Sequence, residues 1–165
     1  MKKMIEPWTV QLNAPELTFA KWVGRERQKA AERRGYNNQN QCGKNDMQIH
    51  IDGACGELAF AKIFKLYPAS VFDTPGELAP FDCWFPEVGG IDVKTTPNKC
   101  GRLNIEYRKV NNPADVYALM CGENGRFMYA GMIRGNEALT DKYLTDVGNG
   151  AFFAIPQNDL YEDLR

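Results

Sequence analysis

Hydrophobic and polar positions change rhythm once along this chain. Residues 14–35, APELTFAKWVGRERQKAAERRG, carry Leu17, Phe19, Ala20, Trp22 and Val23 in the first half and mostly charge in the second. Pro15 suits a first turn and Gly35 a C-terminal stop, so the segment predicts a helix. Residues 36–45, YNNQNQCGKN, are polar and turn-forming and predict a loop. A second helix is expected over 46–68, with Asp46 as its N-cap and Pro68 as its end. Gly53 and Gly56 inside it each cost about 1 kcal/mol against alanine, which points to close backbone packing there.

After residue 70 the period shortens to two. FDCWF (81–85) and IDVKTT (91–96) flank PEVGG and predict a β-hairpin. RLNIEYRKV (102–110) alternates Leu103, Ile105 and Tyr107 and reads as a third strand. DVYALMCG (115–122) and RFMYAGMI (126–133) straddle ENG, a second hairpin. NEALTDKYL (136–144) predicts a short helix, AFFAIP (151–156) a last strand and QNDLYEDL a terminal helical turn. Two helices followed by strands make an α+β fold with a mixed sheet flanked by helices. A chain of 165 residues is the length of one ordinary domain. Within it, 1–45 reads as a helical extension and loop, 46–135 as the core and 136–165 as a C-terminal extension.

Composition narrows the function classes. No apolar run reaches the roughly 18 residues of a membrane span, and the N-terminal residues lack the apolar stretch of a secretory leader. The five cysteines are widely spaced without a CxxC, and His50 is the single histidine, so neither a zinc site nor a disulfide framework is expected. Reduced thiols fit a cytoplasmic setting. Net charge is −1, which gives no bulk attraction to nucleic acid. The charge is uneven, however. Residues 1–35 hold eight Lys/Arg against four Asp/Glu, and residues 137–165 hold two against six. Such asymmetry permits a local basic surface on an acidic protein.

The candidate chemistry lies in GGIDVKTTP, residues 89–97. On a strand, Ile91, Val93 and Thr95 point one way, and Asp92, Lys94 and Thr96 the other. Asp82 and Asp92 are ten residues apart, so a symmetric hairpin centred on residue 87 sets them roughly opposite each other. Facing carboxylates repel unless the register differs, one is protonated or a cation lies between them. Mg²⁺ suits such oxygens, usually taking one or two carboxylates and keeping several waters. On this reading Asp92→Asn is neutral or stabilising without metal. Glu57 sits in GACGELAFAKIF, a helix apolar on most sides, where a carboxylate needs a partner. Lys94 or a cation held by the aspartates is the expected one.

These residues, a helical GE followed by FD and IDVKTT, resemble the PD-(D/E)XK nuclease superfamily, in particular small nuclease-like proteins of phages and prophages. The resemblance covers roughly residues 47–135. It implies a restriction-endonuclease-like core of order αβββαβ and Mg²⁺-dependent hydrolysis of DNA phosphodiesters, with Mn²⁺ able to substitute and no zinc or organic cofactor. Asp82 falls on the motif's first acid, Asp92 on its second and Lys94 on its lysine. Glu57 matches the acid that many members supply from the preceding helix. Asp82, Asp92, the Val93 carbonyl and Glu57 would hold the metal, and Lys94 would orient the attacking hydroxide. Residue 81 is phenylalanine where the motif has proline. The rival reading is a non-catalytic nucleic-acid-binding or protein-interaction module that keeps the fold.

Phosphate contacts are expected from Arg25, Lys29 and Arg33 on the first helix, from Thr95 and Thr96, and from Arg102 and Arg108, whose shared parity puts them on one strand face. Trp8, Trp22 and Trp84 are read as core residues. The partner implied is DNA, in a host cytoplasm if the chain is phage-encoded. The sequence leaves a homodimer open.

Overall fold

The structure, a computed structural model, describes residues 8–35, 45–67, 81–148 and 150–164. Helix α1 (Ala14–Arg33) begins at a reciprocal capping box. Glu16 N–H donates to Asn13 Oδ1 at 2.9 Å, and Asn13 N–H donates to Glu16 Oε2 at 2.7 Å. Helix α2 (Asp46–Phe64) is capped by Asn45, whose side chain accepts from Gln48 N–H at 2.8 Å. Asp46 is thus the first helical residue rather than the cap, and its charge faces the positive end of the helix dipole. The helix stops at Lys65, which takes a left-handed conformation (φ 55°), while Leu66 N–H donates to Ala61 O at 2.8 Å. The expected stop at Pro68 and the loop over 36–44 lie outside the described residues.

Eight strands occur among the described residues: β1 (Thr9–Gln11), β2 (Cys83–Phe85), β3 (Gly89–Thr96), β4 (Leu103–Glu106), β5 (Val116–Glu123), β6 (Arg126–Arg134), β7 (Leu144–Asp146) and β8 (Ala151–Ile155). The main sheet has the order β1-β6-β5-β3-β2, with β3 and β5 parallel and the other pairs antiparallel. A second, three-stranded sheet runs β4-β8-β7. The β5–β6 hairpin turns at Asn124 and Gly125, both at positive φ (53° and 81°), the pairing a tight hairpin favours.

The alternation along β3 and β5 builds two cores. Ile91, Val93, Val116, Ala118 and Met120 pack under the helices with Ala20, Val23, Ala59 and Phe60. Tyr117, Leu119 and Cys121 face the other way, against Leu103, Ile105, Phe153 and Ile155 of the second sheet. The molecule is therefore α+β: two helices, a mixed sheet, and a smaller sheet behind it. Gly56 lets α2 approach β3, since a Cβ there would lie 2.0 Å from Thr95 Oγ1. No helix among the described residues is long and apolar enough to cross a membrane.

Several expectations are corrected. The third strand ends at Glu106, and Tyr107–Asn111 turn into a 3-10 helix. The parallel connection from β3 to β5 thus runs through β4 and that turn, where the αβββαβ order places an α-helix. Leu103, Ile105 and their alternating polar neighbours suit a strand here instead, and Pro113 closes the segment. The helix over 136–144 shrinks to one turn, α3 (Gly135–Ala138), and Leu144 begins β7 instead. The C-terminal turn is a short 3-10 segment, Gln157–Asp159. Trp22 and Trp84 are about half exposed (47% and 53%), and only Trp8 packs on the core, 5.3 Å from the Phe64 ring.

Candidate active site

The β2–β3 hairpin sets the geometry. Cys83 pairs with Ile91, Trp84 with Gly90 and Phe85 with Gly89. One step before β2, Asp82 N–H donates to Ile91 O at 2.8 Å, which seats Asp82 beside the edge of β3. Gly90 makes this close pairing possible, because a Cβ there would lie 2.3 Å from the Phe81 ring. Past this point the Asp82 side chain takes over from the strand: its Oδ2 accepts from Val93 N–H at 2.8 Å. A strand residue's N–H and C=O leave on the same edge, so the Val93 carbonyl also faces the Asp82 side.

Asp92 is the buried charged residue among those described, 3% exposed. It lies on the face of β3 that looks toward the second sheet. Lys94, two residues along the same face, reaches Oδ1 at 2.7 Å. Lys109, from the 3-10 turn after β4, lies 2.8 Å from Oδ2. Each Asp92 carboxylate oxygen thus has its own ammonium partner. Burial acts to raise the Asp92 carboxyl, but Lys94 and Lys109 prevail and hold it below its ordinary value. Lys94 is raised in turn: burial opposes its charge, and Asp92 more than compensates.

Asp82 is pushed the other way. Burial, with the charges of Glu57 and Asp92 alongside, lifts its carboxyl well above the carboxylate range, against the Val93 N–H and Lys94. Among the described residues its one hydrogen bond is from Val93, and no cation pairs with it. A half-buried acid beside two other acids, with no counter-ion of its own among the described residues, fits a divalent cation.

Glu57 departs from its expected role. Its carboxylate is held by Arg27 of α1 through two contacts of 2.7 Å, Nη1 to Oε1 and Nη2 to Oε2, rather than by Lys94. Lys94 is committed to Asp92 across the sheet, whereas Arg27 lies directly over α2 and offers a fork that matches a carboxylate. Glu57 is still near enough to raise both Asp82 and Cys83. Among the described residues no three His, Cys, Asp or Glu side chains are gathered closely enough to hold a metal ion as they stand.

The expected phosphate contacts scatter. Thr95 faces α2, on the opposite side of β3 from Asp92, with its hydroxyl buried and unbonded. Thr96 shares the Asp92 face, and its Oγ1 accepts from Asn98 N–H at 3.3 Å. Arg102 precedes β4 and Arg108 lies in the 3-10 turn beside Glu106, so the two do not share a strand face. On α1, Arg25 is exposed, Lys29 pairs with Glu26 at 2.7 Å and Arg33 donates to Lys29 O at 3.3 Å. Lys29, Glu32 and Arg33 line an open surface depression.

Two residues escaped the sequence reading in these roles. Arg27 continues the buried stripe Ala20, Val23, Gly24 at helical spacing, which marks it as inward-facing. Lys109 has the parity of Leu103, Ile105 and Tyr107, the apolar side of its segment, an unusual place for a charge. The chain belongs to a family of unknown function, DUF5843, whose profile matches residues 10–128 and so includes every residue of this site. No curated protein and no solved structure matches it.

Proposed function

We propose that the protein is a Mg²⁺-dependent DNA nuclease of the PD-(D/E)XK type, built on a restriction-endonuclease-like core. The observation that carries this reading is the Asp82–Asp92–Lys94 set: Asp82 bonded to the Val93 N–H of β3, Asp92 buried on that strand, and a lysine on the same face paired with Asp92. Asp82, Asp92 and the Val93 carbonyl would hold the metal, with Glu57 joining directly or through water. When bound, the ion would supply charge for the developing oxyanion and lower the pKa of its water. Lys94, kept protonated by Asp92, orients the attacking oxygen and steadies negative charge on the phosphate. The raised Asp82 is a carboxyl that gains most from a cation, since its neighbours are acids.

A non-catalytic nucleic-acid or protein-interaction module draws support from the same contacts. Arg27 on Glu57, and Lys94 and Lys109 on Asp92, already balance much of the acid charge. Cleavage of supercoiled, linear, single-stranded and branched DNA with Mn²⁺ separates the two. Divalent-dependent cleavage of any of these supports the nuclease. Binding without cleavage of all four supports the module.

A further inference from the structure

We propose that Lys109 is an internal counter-ion of Asp92 that a divalent cation displaces, so that cation entry and Lys109 release are one exchange. This rests on the nuclease reading of the same site. The argument begins with charge. Glu57 is paired with Arg27, and Asp92 carries both Lys94 and Lys109, while Asp82 has no base of its own among the described residues; formally the set holds three acids and three bases. A divalent ion added to a balanced, largely buried set leaves an excess of positive charge, which is costly unless one base withdraws.

Of the three, Lys109 is the one the fold can release. Lys94 is fixed by the β3 ladder, hydrogen-bonded to β5 in register with Leu119. Arg27 is held by two aligned contacts to Glu57. Lys109 comes instead from the short 3-10 turn Tyr107–Asn111, outside both ladders. Its Nζ is 2.8 Å from Asp92 Oδ2, one contact from a short turn, so the turn can withdraw it without breaking a strand ladder. The same oxygen would be the natural ligand for a cation shared with Asp82. The turn is seated by the Tyr107 ring, stacked on Phe153 at 5.9 Å and 12°. Lys109 is 24% exposed, so water is within reach once it lets go.

The test is Mn²⁺ affinity by calorimetry, with no nucleic acid present. Lys109→Met removes the competitor and should bind Mn²⁺ about tenfold tighter, a typical size for coupled sites. Its melting temperature should fall without Mn²⁺ and rise more than wild type's on adding it. Lys109→Arg keeps the cation and should keep the weaker affinity. If Lys109→Met fails to fold, Tyr107→Ala makes the same comparison with the charge retained, by loosening the turn, and should also bind tighter. Wild type that binds Mn²⁺ while Lys109→Met and Tyr107→Ala bind no tighter overturns the exchange and leaves the nuclease reading standing. If neither folded wild type nor the variants bind Mn²⁺, the cation site itself falls, and the exchange with it.

Discussion

Arg27 and Glu57 join α1 to α2 through two parallel contacts of 2.7 Å, each side chain only 15% exposed. The pair does more than tie helices together: it fixes the direction of a helix acid whose charge raises Asp82. Partly buried and bidentate, it should show a coupling of about 1–3 kcal/mol in a double-mutant cycle of Arg27→Met and Glu57→Gln. Additive losses in denaturant unfolding would mean that the bridge is incidental.

Asp92→Asn should destabilise the protein in the absence of divalent ions, the reverse of what facing carboxylates alone suggest. The sequence shows the repulsion between Asp82 and Asp92 but not that Asp92 is the anchor of two lysines. Losing that charge leaves two ammonium groups without their partner, at a cost of about 1–3 kcal/mol. Both lysines keep some access to water, which limits the loss. Equilibrium unfolding of wild type and Asp92→Asn in chelator checks this, and equal stability contradicts it.

Asp82 should make stability depend on pH in the opposite sense to an ordinary salt-bridged aspartate. Its folded pKa lies above its unfolded value. Its stabilising contribution is therefore complete below the unfolded value of about 3.9 and is lost as pH rises through the folded one. Asp82→Asn keeps an acceptor for Val93 N–H and removes this dependence. Relative to wild type, the variant should gain stability as pH rises through that window. A difference in melting temperature that stays flat with pH contradicts the proposed environment of Asp82.

Much of the fold was legible because it is local. The α1 segment announces itself by Pro15 and a polar second half, the β5–β6 hairpin by Asn124-Gly125, and the face shared by Asp92 and Lys94 by strand parity alone. What escaped depends on contacts between distant segments. Thr9–Gln11 is a strand only because it pairs with Phe127 and its neighbours across the whole domain. RLNIEYRKV keeps its alternation to the end, yet the chain leaves the strand at Tyr107 to bring Lys109 onto Asp92. The same holds in the site. Spacing brought Asp82 to the strand that carries Asp92, but which base meets which acid is settled by how α1 lies on α2 and how the second sheet covers the first. Thr95 shows the limit of proximity in sequence: it adjoins Lys94 and points to the other side.

The central claim is that the Asp82–Asp92–Lys94 set hydrolyses DNA, and the most direct measurement is single-turnover cleavage with Mn²⁺ by wild type and Lys94→Ala purified in parallel. If Lys94 orients the attacking oxygen, its loss should slow cleavage by about 10²–10⁴-fold while DNA binding persists. Cleavage at the wild-type rate by folded Lys94→Ala, or no divalent-dependent cleavage by wild type at all, would contradict the account.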